Sequence, residues 1–309
     1  MKRTLAIISS IVVLGIIVVF VKYFYLASDN GKILGASVNY YKEKVLPPQK
    51  PPVRKEGVKD PNILAESAVL ISNANKYPLF EKNSRTQVPI ASITKIMTAL
   101  VSTDIFKDSD VIEVKPPYLN IEGSKINLVA GEKITYGNLL YGLLVNSGND
   151  AAKTIANAKT TEDEFVDLMN KKAKQIGLSN TKFQDPAGLN DSGYSTAHDV
   201  AILFSQAIKK ENILERIKTA NIEIKSVDGQ ITHQLENSNR LVSGEISLEG
   251  VIGGKTGFTY SAGHTLVCAA SRNDVTLISV ILKTLYDTKS ASAVETQKLL
   301  EWGFNSFNF

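Results

Sequence analysis

Apolar and polar positions change period along the chain in a way that divides it into elements. The stretches "AESAVLIS" (65–72) and "YPLFEKN" (77–83), separated by the polar turn "NAN", predict a strand pair. A period near 3.6 follows in "SITKIMTALVSTDIF" (92–106), with Ile93, Ile96, Met97, Leu100 and Val101 on one stripe and Ser92 at the cap or first turn. The same period predicts helices over "ITYGNLLYGLLV" (134–145), "DAAKTIANA" (150–158), "TEDEFVDLMNKKAKQIGL" (161–178, stopping near Gly177) and "STAHDVAILFSQAIKK" (195–210). Strand character then returns. "IEIKS" and "ITHQLEN" flank the turn "VDGQ", while "GHTLVCAAS" and "VTLISVILK" flank "RND". A last helix is predicted over "SAVETQKLLEWGFNSF" (292–307). Strands near both ends with helices between them predict an α+β domain whose antiparallel sheet is closed by amino- and carboxy-terminal segments.

The first 60 residues read differently. Lys2 and Arg3 precede an uncharged, mostly apolar run from Leu5 to Val21, closed by Lys22 and the aromatics Tyr23, Phe24 and Tyr25. About 17–25 apolar residues span a bilayer, whereas a cleaved signal carries about 7–15. Residues 1–27 are therefore expected to form an uncleaved transmembrane anchor, with a signal peptide cut near Ala27 as the alternative. Pro47, Pro48, Pro51 and Pro52, set among lysines, make 28–60 a stiff spacer that would hold residues 61–309 off the membrane on the extracytoplasmic side. The alternative is an extension packed on the domain.

Composition narrows the class. A chain of 309 residues, 43% hydrophobic and 21% charged, can bury one large core. A net charge of +4 from 35 basic and 31 acidic residues, with no basic patch interleaved with aromatics, argues against a nucleic-acid partner. Cys268 sits in an apolar run, where a small buried hydrophobe is the expected role. His198, His233 and His264 lack metal-ligand spacing, so neither a metal nor a Ser-His-Asp triad is indicated. Gly253, Gly254, Gly257 and Gly263 lack the strand–loop–helix order of a phosphate loop. Trp302 and Phe304 read as core positions of the last helix.

The remaining chemistry lies at Ser92. A serine hydroxyl needs a base within hydrogen-bond reach. Lys95, three residues on, shares its helix face, but a lysine serves as base only when neutral, which requires burial or a neighbouring cation. Alone the pattern is weak: it occurs again as "SNTK" (179–182), where no helix can continue, and by itself a cap beside a solvent-facing lysine is the favoured explanation. Two further motifs change this. "NSGND" puts Ser147 and Asn149 between two helices, and "GGKTGFT" puts Lys255, Thr256 and Gly257 on a strand opening the last hairpin. The ordered set, each member in its own structural setting, is specific.

With these motifs, and with blocks such as "LLYGLLVNSGNDAA", "FVDLMNKKAKQIGLSNTKFQDPAGL", "YSTAHDVAIL" and "NSNRLV", the stretch from about Ala65 to Phe304 resembles the penicillin-recognising serine D-alanyl-D-alanine carboxypeptidases. The resemblance implies a β-lactamase/transpeptidase-like fold, with a five-stranded antiparallel sheet against a helical lobe. It implies Ser92 as nucleophile and neutral Lys95 as its base, acting on the terminal D-Ala-D-Ala bond of a peptidoglycan stem peptide. Ser147 would relay a proton to the leaving amine and Asn149 would hold the substrate amide. Lys255 and Thr256 would bind the terminal carboxylate, with Arg240 a second contact, or else a surface ion pair. Gly257 lies between Thr256 and Phe258, whose backbone N–H with that of Ser92 would form the oxyanion hole; the Phe258 side chain varies in the family. β-Lactams would acylate Ser92, and no cofactor is implied.

Many family members carry a small β-domain and an amphipathic helix after the catalytic domain, and an uncleaved amino-terminal segment would replace that anchor here. A related endopeptidase cutting D-alanine cross-links would use the same residues. A class A β-lactamase would need a glutamate where "FQDPAGLNDSGYS" has none, and a non-catalytic wall-binding or β-lactam-sensing module would not need Ser92, Lys95 and Lys255 together.

Overall fold

Capping side chains mark where the helices begin. In the computed structural model, which describes residues 50–309 except Asp287, Thr135, Thr161 and Thr196 each accept a hydrogen bond from the backbone N–H three residues on. Thr161 and Glu164 form a reciprocal capping box. The helices are α1 (Lys95–Ser102), α2 (Tyr136–Leu144), α3 (Asn149–Asn157), α4 (Glu162–Gln175), α5 (Ala197–Ala207), α6 (Glu211–Ile217) and α7 (Ala291–Ser306). The anchor expected over residues 1–27 and the spacer up to residue 49 lie outside the described residues. Among the described residues, no helix is long and apolar enough to cross a membrane.

Five strands form the central sheet: β1 (Ala65–Ser72), β2 (Pro78–Lys82), β3 (Val251–Thr259), β4 (Gly263–Arg272) and β5 (Val275–Thr284). Their order is β2-β1-β5-β4-β3, antiparallel throughout, so the first long strand pairs with the last and closes the sheet as the sequence predicts. Alternate residues bury on opposite faces. Val69, Ile71, Val267, Ala269, Ile278 and Val280 meet the helical lobe. Ala68, Leu70, Ala270, Leu277 and Ile281 meet Leu299 and Leu300 of α7.

Burial of both faces explains why these strands read as almost continuous apolar runs. β3 is the edge strand beside the helical lobe, and the gap between them holds the predicted site.

Three features depart from the sequence reading. The short helix α6 and the ribbon of Val111–Glu113 with Lys133–Thr135 were not expected, because seven and three residues are too few for a clear period. The helix predicted from Ser92 starts instead at Lys95, after a 3₁₀ turn over Ala91–Thr94 in which Ser92 makes no capping bond. Finally, the end of the segment read as spacer packs on the domain. Val53 and Arg54 pair with Asn308 and Phe307. Arg54 lies over the Trp302 ring at 5.1 Å, and the Trp302 indole donates to the Lys59 carbonyl at 2.9 Å. Trp302 and Phe304 are accordingly half-buried beneath this clasp and Arg272, not core residues.

His233 is buried, one ring nitrogen on the Ile126 carbonyl at 2.9 Å and the other on Glu132 at 2.8 Å, which ties the loop before α2 to the ribbon 221–236. Cys268 is buried in the sheet, and burial pushes its thiol up to about 12.

Candidate active site

The 3₁₀ turn decides how Ser92 and Lys95 meet. In such a turn side chains three apart eclipse one another. Lys95 Nζ accordingly lies 2.7 Å from Ser92 Oγ. The backbone entering the turn is held in the left-handed region at Ala91 (φ 47°). Gly188 (φ 79°) passes so close beneath it that a Cβ there would lie 2.0 Å from the Ala91 carbonyl oxygen.

Lys95 is fully buried, and its nitrogen has three neighbours: Ser92 Oγ, Asn149 Oδ1 at 2.8 Å and the Ala187 carbonyl at 2.8 Å. The last two can only accept. A neutral amine has two hydrogens and one lone pair, so two hydrogens on those acceptors leave the lone pair directed at the Ser92 hydroxyl. The electrostatics favour that state. Burial drives the Lys95 pKa well below its ordinary 10.5 and Lys255 pushes the same way, against a smaller upward pull from Asp185 and Asp150.

Both aspartates are committed to backbone. Asp185 accepts from the N–H groups of Ala187, Gly188 and Asn190 at 2.6–2.7 Å and so shapes the loop that presents the Ala187 carbonyl. Asp150 accepts from Ile126, Leu128 and Ala151. Asn149 Nδ2 donates to the Glu122 carbonyl at 2.6 Å, which leaves one amide hydrogen for a further acceptor.

The second serine sits between α2 and α3. Ser147 is in the left-handed region (φ 60°), and Lys255 Nζ donates to its hydroxyl at 2.9 Å. Lys255 is as buried as Lys95, and burial holds its pKa down to about 7. Thr256, next along β3, shares a 2.5 Å hydroxyl contact with Ser238.

Gly257 is where β3 touches the nucleophile turn. A Cβ there would lie 2.9 Å from the Ile90 carbonyl oxygen and 3.1 Å from the Ser92 nitrogen, so only glycine lets the strand approach this closely. The Phe258 ring is exposed at the rim, its centroid 4.5 Å from that of His264.

The structure thus brings Ser92, Lys95, Asn149, Ser147, Lys255, Thr256, Gly257 and Phe258 to one cleft. Arg240 lies on the same loop as Ser238. Among the described residues its guanidinium partners are Glu245 and the Lys289 carbonyl, and Ser238 is the member of its loop that reaches Thr256. Sequence reasoning missed Asp150, Asp185 and Ser238. The turn-forming "DPAG" was the only signal for Asp185, and Asp150 was visible only as the neighbour of Asn149. The second Ser-x-x-Lys is not a site: Lys182 pairs through its backbone with Tyr194, outside any helix.

Residues 54–285 match the D-alanyl-D-alanine carboxypeptidase family. The chain belongs to that family. It is 34% identical over 250 residues to the D-alanyl-D-alanine carboxypeptidase DacF of Bacillus subtilis, covering 79% of this chain and 63% of the relative. It is 32% identical over 270 residues to DacC of Escherichia coli, covering 82% and 64%. The chain therefore spans somewhat less than two thirds of the length of these curated relatives. The Streptomyces K15 DD-transpeptidase structure superposes with a TM-score of 0.75 at 30% identity, covering 80% of this chain and all of that one. Family membership accounts for the α+β architecture, and the DD-peptidase fold is the one described above.

Proposed function

We propose that the protein is a serine DD-carboxypeptidase that removes the terminal D-alanine from peptidoglycan stem peptides and is acylated by β-lactams. The observation that carries the reading is the fully buried Lys95, held 2.7 Å from Ser92 with its charge disfavoured. Lys95 takes the proton as Ser92 Oγ attacks the carbonyl between the two D-alanines. The developing oxyanion is met by the backbone N–H groups of Ser92 and Phe258, donors of a kind worth about 2.7–4 kcal/mol each. The free Asn149 amide hydrogen holds the substrate carbonyl. Ser147, in contact with Lys255, passes a proton to the leaving amine. The terminal carboxylate is held by Lys255 and the Thr256 hydroxyl, with Ser238 beside them, since its negative charge restores the proton that burial makes Lys255 give up. Water then releases the acyl group.

The stretch where a β-lactamase would carry its glutamate offers two aspartates, and both are engaged: Asp185 accepts from three backbone N–H groups and Asp191 from the Thr259 hydroxyl, which disfavours fast hydrolysis of a penicilloyl adduct. The amino-terminal segment would anchor the protein in the cytoplasmic membrane with this cleft facing the wall. A relative from Pseudomonas aeruginosa, 30% identical over 262 residues, is named a D-alanyl-D-alanine endopeptidase. Comparing D-alanine release from a pentapeptide with cleavage of a cross-linked dimer, each against Ser92→Ala, tests the assignment. Preference for the dimer would replace carboxypeptidase by endopeptidase.

A further inference from the structure

A cleft of about 380 Å³ is bounded by Ile121, Leu189, Lys153 and Glu162 among others. Its walls continue segments that already touch the cluster. Ile121 precedes Glu122, whose carbonyl accepts from Asn149. Leu189 follows by two residues Ala187, whose carbonyl accepts from Lys95. Lys153 lies one helical turn, about 6 Å, beyond Asn149 on α3. The cleft's polar end is an ion pair between Lys153 and Glu162, both partly open to solvent.

Direction along the substrate follows from charge. If the terminal carboxylate sits at Lys255 and Thr256, the rest of the peptide leaves Ser92 on the Asn149 side, towards this cleft. The amino acid preceding the two D-alanines then extends its side chain between Ile121 and Leu189. An ammonium and a carboxylate lying side by side complement a group of the same kind set head to tail: Glu162 receives the ligand's ammonium and Lys153 its carboxylate. A side chain ending in an ammonium alone would leave Lys153 without a gain.

We propose that this cleft is a specificity subsite for the third residue of the stem peptide, and that Lys153 and Glu162 select a side chain ending in a carboxylate and an ammonium on one carbon. The proposal rests on the carboxypeptidase reading. The test uses the full chain and three peptides ending in D-Ala-D-Ala, identical except for meso-diaminopimelate, lysine or glycine at the preceding position. The wild-type kcat/KM should favour diaminopimelate over lysine by about tenfold, the size of one good charge-assisted contact. The ratio should fall towards one in Lys153→Met and in Glu162→Gln, and because it is a ratio any general loss of activity cancels. Equal wild-type rates on lysine and diaminopimelate, or a ratio unmoved by both substitutions, would overturn the subsite while leaving the carboxypeptidase reading intact. Release from none of the three peptides would defeat that reading, and the subsite with it.

Discussion

Replacing Gly257 by alanine adds one methyl group at the junction between β3 and the nucleophile turn. The methyl would stand 2.7 Å from Thr265 Oγ1, 2.9 Å from the Ile90 carbonyl oxygen and 3.1 Å from the Ser92 nitrogen. Thr265 cannot easily turn away, because it is buried and its hydroxyl donates to the Gly257 carbonyl at 3.1 Å. Since an unstrained contact begins near 3.5 Å, strand and turn must separate by roughly 0.5 Å. That displacement falls between the two backbone N–H groups assigned to the oxyanion, where misplacement by about 1 Å is worth on the order of 10²-fold in rate and loss of one donor about 10²–10³-fold. We expect the second-order rate of penicillin acylation and kcat for D-alanine release to fall together by about 10²-fold. The acid limb of the pH profile should stay in place, because Lys95 and its neighbours are untouched. Stopped-flow acylation with a fluorescent penicillin reads the rate directly. A Gly257→Ala protein that melts like the parent and acylates within about threefold of it would refute the strand-to-turn geometry as the source of oxyanion stabilisation.

Lys255 should make kcat/KM for carboxylate-terminated peptides decline above about pH 7, where the free enzyme loses that proton. The folded protein releases it near 7 and the unfolded chain only near 10.5, so the unfolded state binds more protons between these values and stability rises with pH across that window. Lys255→Met should therefore gain thermal stability over the parent most clearly below pH 7, while losing D-alanine release; melting curves on either side of pH 7 check this. Asp150→Asn removes one of the charges that hold a proton on Lys95, so the acid limb of kcat/KM should move to lower pH. The same change weakens acceptance from three backbone N–H groups and should lower stability by about 1–3 kcal/mol. A chain beginning at residue 61 should melt below one beginning at residue 48, at about 2–4 °C per kcal/mol lost, because it lacks the 53–54 pairing and the Lys59 carbonyl on Trp302. Its penicillin acylation should be unchanged.

How much was legible in the sequence follows from how local each cause is. The sheet strands show as short apolar runs bounded by turns, the longer helices carry their period within a dozen residues, and Thr161 with Glu164 announces its helix outright. The Ser92–Lys95 contact was also legible, because a spacing of three brings side chains together in either kind of helical turn. The 3₁₀ turn itself was not, since it follows a left-handed Ala91 packed tightly against Gly188, almost a hundred residues away. The same holds for the low pKa of Lys95, which depends on burial by elements that no local pattern names and, after that, on Lys255. Arg240 was singled out because its block resembles the family's, with a surface ion pair as the alternative, and its guanidinium meets Glu245, while the contact of Ser238 with Thr256 was not read from the same block. The clasp of 53–60 was obscured by prolines that read as spacer, although Trp302 and Phe307 needed a cover.

The most direct test of the central claim is D-alanine release from a peptide ending in D-Ala-D-Ala, measured for the purified protein beside Ser92→Ala, with mass spectrometry of the penicillin-treated forms. The account predicts release and a single penicilloyl adduct on Ser92 in the parent, and neither in the variant. Release that persists in Ser92→Ala, or an adduct on another residue, would contradict it.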